Sequence, residues 1–134
     1  MELILFKINN YIYGLKPNEV VNIEKLSTIE DEGAQIKENY IVKDNVKFKY
    51  IDLYKNFFNI DRHFLEKRDD YILFLKNEIF FNTEHISEIQ DVDIKKFDFK
   101  NVVEKEYIDL FQNILIFGKK IGIVLNANII KKLR

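Results

Sequence analysis

Ser27, Thr28, Thr83 and Ser87 are the aliphatic hydroxyls of this chain, and His63 and His85 its imidazoles. Covalent catalysis needs a nucleophile held beside a base. No Gly-x-Ser-x-Gly elbow surrounds either serine. There is no cysteine, which excludes disulfides, zinc-thiolate sites and thiol catalysis. His85 beside Glu84 has the composition of a histidine–carboxylate base, and His63 sits in a charged run. Both are expected as surface histidines, and two isolated imidazoles do not make a metal site. The acids cluster as Glu30-Asp31-Glu32, Asp69-Asp70 and Asp91-x-Asp93. Paired carboxylates can bind magnesium or divide acid and base roles, but clusters in polar connectors are ordinarily solvated. Gly14, Gly33, Gly118 and Gly122 are scattered and form no phosphate-binding loop. The chain is therefore expected to have no catalytic residue, cofactor or metal.

Composition narrows the remaining classes. A length of 134 residues fits one domain, or two small subdomains that can intertwine. Hydrophobic residues make up 47% and aromatics 14%, enough for a sizeable core and too many for disorder. The formal net charge is −1, and no basic run is long enough to mark a nucleic-acid footprint. The longest apolar run, residues 121–125, is far shorter than the roughly 20 residues a membrane span requires, so no direct membrane insertion is expected. Glu2 and Lys7 bracket the first apolar run and Asn9-Asn10 ends it, too early for a secretory leader. These absences point to the cytoplasm.

The elements that would position an interaction surface read as short strands. Residues 3–8 and 11–15 form a hairpin around Asn9-Asn10, with Gly14 marking a bulge or a close backbone approach. Residues 19–25 form a third strand, with Val21 and Ile23 on one side and Val20 and Asn22 on the other. Residues 27–39 are polar, contain Gly33 and read as a loop over a barrel end. Residues 40–42 and 46–51 form a hairpin around Asp44-Asn45. Asp52 caps a short helix over 53–58. The charged run 61–70 is the expected subdomain boundary. Strands 71–75 and 79–81 flank Asn77-Glu78, and Ile86, Ile89 and Val92 fit either a strand or one helical turn. Residues 94–106 read as linker and 107–111 as a short apolar segment. Residues 114–117 and 121–125 pair around Gly118-Lys119-Lys120, and Asn128 caps a final helix that docks Ile129, Ile130 and Leu133. The basic run Lys131-Lys132-Leu133-Arg134 complements the dipole of that helix. Phe80 and Phe81 cannot both face one side of a strand, so one must be exposed or covered by another layer. The class is mainly β, with small barrels rather than a βαβ fold.

Four segments in order carry a family resemblance. Leu3 to Leu15 with its Tyr13-Gly14-Leu15 end, the strand at 19–23, the strand and short helix from Val46 to Phe58 with Ile51-Asp52-Leu53 at their junction, and the closing strand and helix at 121–133 resemble the CheW-like domains of bacterial chemoreceptor arrays. The resemblance implies a single CheW-like domain over 1–134. It implies two packed SH3-like five-stranded barrels with short helices, including a C-terminal one. Subdomains are expected at about 1–60 plus the C-terminal segment, and at 71–117. It also implies a non-enzymatic adaptor that holds the cytoplasmic tip of a methyl-accepting chemoreceptor in a groove between the barrels. The same adaptor pairs with the regulatory domain of a CheA-type histidine kinase and is recruited to membrane-associated arrays. Carried over by position, Val20, Asn22, Ile23, Lys43, Asp44 and Asn45 are the expected partner contacts. Three departures stand out. The family's Leu-Arg-Gly turn becomes Lys43-Asp44-Asn45, its Val-x-Glu-Ile glutamate becomes Asn22, and the glycine after its Ile-Lys pair becomes Glu38. The alternatives are a CheW-like adaptor in a non-chemotactic system, or a small β-barrel binding a ligand or nucleic acid.

Overall fold

The computed structural model describes residues 1–133, with the backbone alone for Glu106 and Gln112; Arg134, the last residue of the basic run, lies outside the described residues. In chain order the elements begin β1 (Glu2–Ile8), β2 (Tyr11–Leu15), β3 (Val20–Lys25), α1 (Leu26–Asp31), β4 (Gln35–Lys37), β5 (Tyr40–Lys43), β6 (Val46–Tyr50) and α2 (Leu53–Phe58). They continue β7 (Tyr71–Leu75), β8 (Ile79–Thr83), β9 (His85–Asp91), β10 (Asp93–Lys95), β11 (Phe111–Phe117), β12 (Lys120–Leu125) and α3 (Ala127–Ile130).

Tight turns set the hairpins. Asn9 and Asn10 lie at φ 52° and 66°, and Asp44 and Asn45 at 50° and 64°. A two-residue turn that matches strand twist needs both central residues at positive φ, which short polar side chains tolerate. Asp52 accepts a hydrogen bond from the Lys55 N–H at 3.0 Å and starts α2, as its sequence position predicts. Asn59, at φ 54°, ends it.

Among the described residues the strands form two six-stranded sheets, mainly β as expected, ordered β10-β11-β12-β2-β1-β9 and β3-β7-β8-β6-β5-β4. Each sheet joins two hairpins through one parallel seam, β12 with β2 and β8 with β6. In the first sheet β9 and β10 hold opposite edges and are separated only by Val92, whose N–H donates to the Met1 carbonyl. They are one bent strand, so this sheet closes into the expected five-stranded barrel. In the second, β3 and β4 are the outer strands and α1 runs between them. Leu26 and Ile29 of α1 are fully buried in that barrel's core.

Three apolar clusters follow from this. One lies inside the first barrel around Leu3, Leu5, Leu115 and Val124. A second lies inside the other barrel around Ile41, Phe48, Phe74 and Phe80. The largest lies between the sheets: Phe6, Ile8, Tyr13 and Leu15 meet Leu73, Leu75, Ile79 and Phe81, with Leu53 and Tyr54 of α2 and Ile130 of α3 joining them. β8 is buried on both faces, so Phe80 fills the second barrel and Phe81 the layer between barrels. The paired phenylalanines are thus covered by the other layer.

Several elements differ from their sequence reading. The sheets divide the chain as 20–83 against 2–15 plus 85–125, not at 61–70. That charged run connects β6 to β7 within one sheet. It is anchored by buried Phe64 and by Asp70, which takes Arg62 Nη2 at 2.6 Å and Asn82 Nδ2 at 3.0 Å. One charge pair of this run, Arg62 with Asp70, turns inward, while Asp61, Glu66, Lys67, Arg68 and Asp69 are exposed. The loop expected at 27–39 contains α1 and β4, because Leu26 and Ile29, three apart, share one buried face. Gly14 makes a close approach, not a bulge: a Cβ there would lie 2.9 Å from Leu3 and Leu115 side-chain atoms. Ile86 and Ile89 lie on a strand, and 94–106 includes part of β10. The final cap is Asn126, whose side chain accepts from the Asn128 N–H at 3.1 Å, rather than Asn128 itself.

Candidate functional site

The two partner-contact segments expected from sequence are 20–23 and 43–45, and the fold links Asn22 of the first to Lys43 of the second through Glu24. Lys43 stands one residue past the point where β4 pairs with β5, at the seam that β3 and β4 leave open. Its ammonium reaches Glu24 of β3 at 3.4 Å, Glu32 beyond α1 at 3.6 Å and Asp44 at 3.6 Å. Asn22 Nδ2 donates to the same Glu24 carboxylate at 2.9 Å. Asn22, Glu24 and Lys43 therefore form one chain of polar contacts from β3 to the β5–β6 turn.

The electrostatics of this cluster favour a fixed lysine. Burial alone would lower the Lys43 ammonium, but Glu24, Asp44 and Glu32 together hold it above the usual lysine range. Lys43 is 13% exposed while Asp44 is 89% exposed. Three carboxylates surround one cation, so the rim that a partner meets is acidic.

The hydrophobic members sit differently from their expected alternation. β3 carries a register shift between Val20 and Asn22 against β7. The extra residue turns Val20 and Ile23 both toward the inter-barrel core and leaves Val21 exposed. Asn22 Oδ1 accepts from the Ile23 N–H at 2.9 Å. Val21, Glu24 and Glu32 were not among the expected contacts. The bulge that exposes Val21 has no signature in a run of Val-Val-Asn-Ile, whereas the surplus of acids around 24–32 was visible as charge.

Three of the chemistry-bearing side chains of the sequence, His63, Thr83 and Ser87, make structural hydrogen bonds. His63 Nδ1 accepts from the Leu65 N–H at 3.2 Å, so its Nε2–H donates to the Glu38 carbonyl at 2.9 Å. The ring also packs on Tyr50 and Phe64. Thr83 donates to the Lys7 carbonyl, and Ser87 Oγ accepts from the Leu5 N–H at 3.3 Å, tying β8 and β9 to β1. Tyr50 donates to Asn82 Oδ1 at 2.7 Å, and burial pushes its phenol well above the usual range. Among the described residues no group of His, Asp or Glu is arranged to hold a metal ion. No helix among them is long and apolar enough to cross a membrane.

Two packed barrels, each built from two hairpins around a parallel seam and tied by a helix-filled interface, make up a CheW-like fold. The chain superposes on the crystal structure of the scaffolding protein TtCheW from Thermoanaerobacter tengcongensis with a TM-score of 0.74 and 15% identity, covering 99% of this chain and 93% of that one. The likeness is one of fold. No family model matches the chain, and no curated protein matches it in sequence.

Proposed function

We propose that this chain is a non-enzymatic adaptor that couples chemoreceptors to a CheA-type histidine kinase by protein–protein binding. One observation carries the reading: the fold of a scaffolding protein extends over 99% of the chain. The ordered sequence resemblance adds to it. In this reading the whole chain works as one unit, because the largest apolar cluster joins both sheets. It is cytoplasmic and is recruited to membrane-associated receptor arrays. Two rigid barrels hold the kinase regulatory domain at a fixed geometry beside the receptor tip, and a receptor change biases the kinase through shared interfaces.

The receptor contact is assigned to Val20, Asn22 and Ile23 with the Lys43-Asp44-Asn45 turn. An acid stands where the family's turn carries arginine, so the receptor of this adaptor carries a complementary cation. Like charges brought together at a contact oppose binding by up to several kcal/mol. Tagged full-length chain, mixed with receptors and CheA-like kinases of its own cell, is expected to recover both. Recovery of neither, with nucleic acid or a small molecule bound instead, would overturn the adaptor reading. Asp44→Arg is expected to weaken receptor recovery roughly tenfold; stronger recovery would overturn the acidic contact while leaving the adaptor reading in place.

A further inference from the structure

The open mouth of the first barrel holds a cavity lined by none of the residues assigned to the receptor contact. Strand alternation builds it. Leu3 and Leu5 of β1 face the barrel core, so Lys7 faces the same way at its end. Leu115 of β11 and Val124 of β12 face that core too, which brings Phe117 and Lys120 to the same rim. Ile12 lies in register with Lys7 on one side, and His85 on the other. A cavity of about 210 Å³ opens among these residues, floored by Leu5 and Ile12.

A second feature shapes the wall. β9 carries an extra residue against β1, where pairing steps from Ile4 with Ile89 to Phe6 with Ile86. Ser87 fills the gap, accepting from the Leu5 N–H at 3.3 Å with its oxygen 3.2 Å from the Leu5 carbonyl. Bulges of this kind re-aim side chains at barrel rims. Among the described residues, none of the ion pairs involves Lys7, Lys120 or His85. Among the described residues no carboxylate lines the cavity; the nearest in sequence are Glu84 and Glu88, flanking His85 and Ser87.

We propose that this mouth binds a small organic carboxylate with a short apolar tail. The tail lies on Leu5, Ile12 and Phe117, and the head meets the Lys7 and Lys120 ammonium groups. A cation rim without a carboxylate rejects amines. The apolar wall gives a bare anion nothing in exchange for its hydration. The volume is below that of drug-sized sites, which limits the occupant to roughly eight heavy atoms. Binding here is independent of the adaptor reading.

The test is a titration of isotope-labelled full-length chain with hexanoate, followed by amide chemical shifts, with hexanol, hexylamine and acetate as controls. Saturable shifts are expected at Lys7, Ile12, Ser87, Phe117 and Lys120, with a Kd on the order of 1 mM. Hexanol and acetate are expected to bind about tenfold more weakly, and the pair Lys7→Gln and Lys120→Gln to weaken hexanoate about tenfold. The proposal fails if this rim shows no saturable shift, if hexanol binds as tightly as hexanoate, or if the folded double variant binds hexanoate unchanged. Should that variant not fold, the ligand series on the unaltered chain decides alone.

Discussion

The two barrels solve the same closure problem in different ways. In the first, β9 and β10 bend at Val92 and pair with both edges, so hydrogen bonds close the ring. In the second, the outer strands β3 and β4 leave a seam. Leu26 and Ile29 of α1 fill it from inside, and Lys43 spans it from outside through Glu24 and Glu32. Backbone ladders tolerate side-chain change. A seam held by side chains does not, and the same side chains are available to a partner. The proposed receptor contact falls on the seam that is closed by chemistry rather than by backbone.

Breaking the layers shared by the barrels is expected to have the largest effect. Phe81→Ala empties part of the layer between the sheets and Phe80→Ala part of the second barrel, each fully buried. Each is expected to cost about 3–5 kcal/mol in urea unfolding. Phe81→Ala alone is expected to raise hydrogen exchange in both sheets, whereas Phe80→Ala should leave the first barrel protected.

Next comes the buried pair under the β6–β7 connector. Asp70→Ala leaves the Arg62 guanidinium without its carboxylate and removes one of the two acceptors of Asn82 Nδ2, and is expected to cost about 3 kcal/mol. If exchange then rises in the first barrel as much as in the second, the connector belongs to both. A smaller loss separates the two closures directly. Lys43→Met is expected to cost about 1 kcal/mol and to raise amide exchange along β3 and β4 while β9 and β10 stay unchanged.

The smallest effect is in pH. The Lys43 ammonium is held above its ordinary range, so folding makes it bind its proton more tightly than in the unfolded chain. Its stabilisation is complete below the unfolded lysine value of about 10.4 and is lost as pH rises through the raised folded value. Wild type is therefore expected to lose more of its advantage over Lys43→Met between mildly and strongly alkaline urea titrations than between neutral and mildly alkaline ones.

Much of this was legible from local chemistry. Asn9-Asn10 and Asp44-Asn45 announced turns because few residues accept positive φ, and Asp52 announced its helix through its cap. What escaped was set by tertiary contacts. α1 shows only Leu26 and Ile29 as an apolar face, too short a period to recognise. The β3 bulge is fixed by pairing with β7, and β9 with β10 form one closing strand only once β1 and β11 are in place. Of the candidate site, position along the chain was readable. The Glu24–Lys43 contact was not, because the partners lie on separate strands that meet only across the seam.

The most direct measurement reconstitutes receptor cytoplasmic fragments, CheA-type kinase and this chain, and follows co-sedimentation together with kinase autophosphorylation. The adaptor account expects the kinase to sediment with receptor and to come under receptor control only when the chain is present, with the chain itself in the pellet. A kinase that sediments and responds equally without it, or a chain left in the supernatant, would contradict the account.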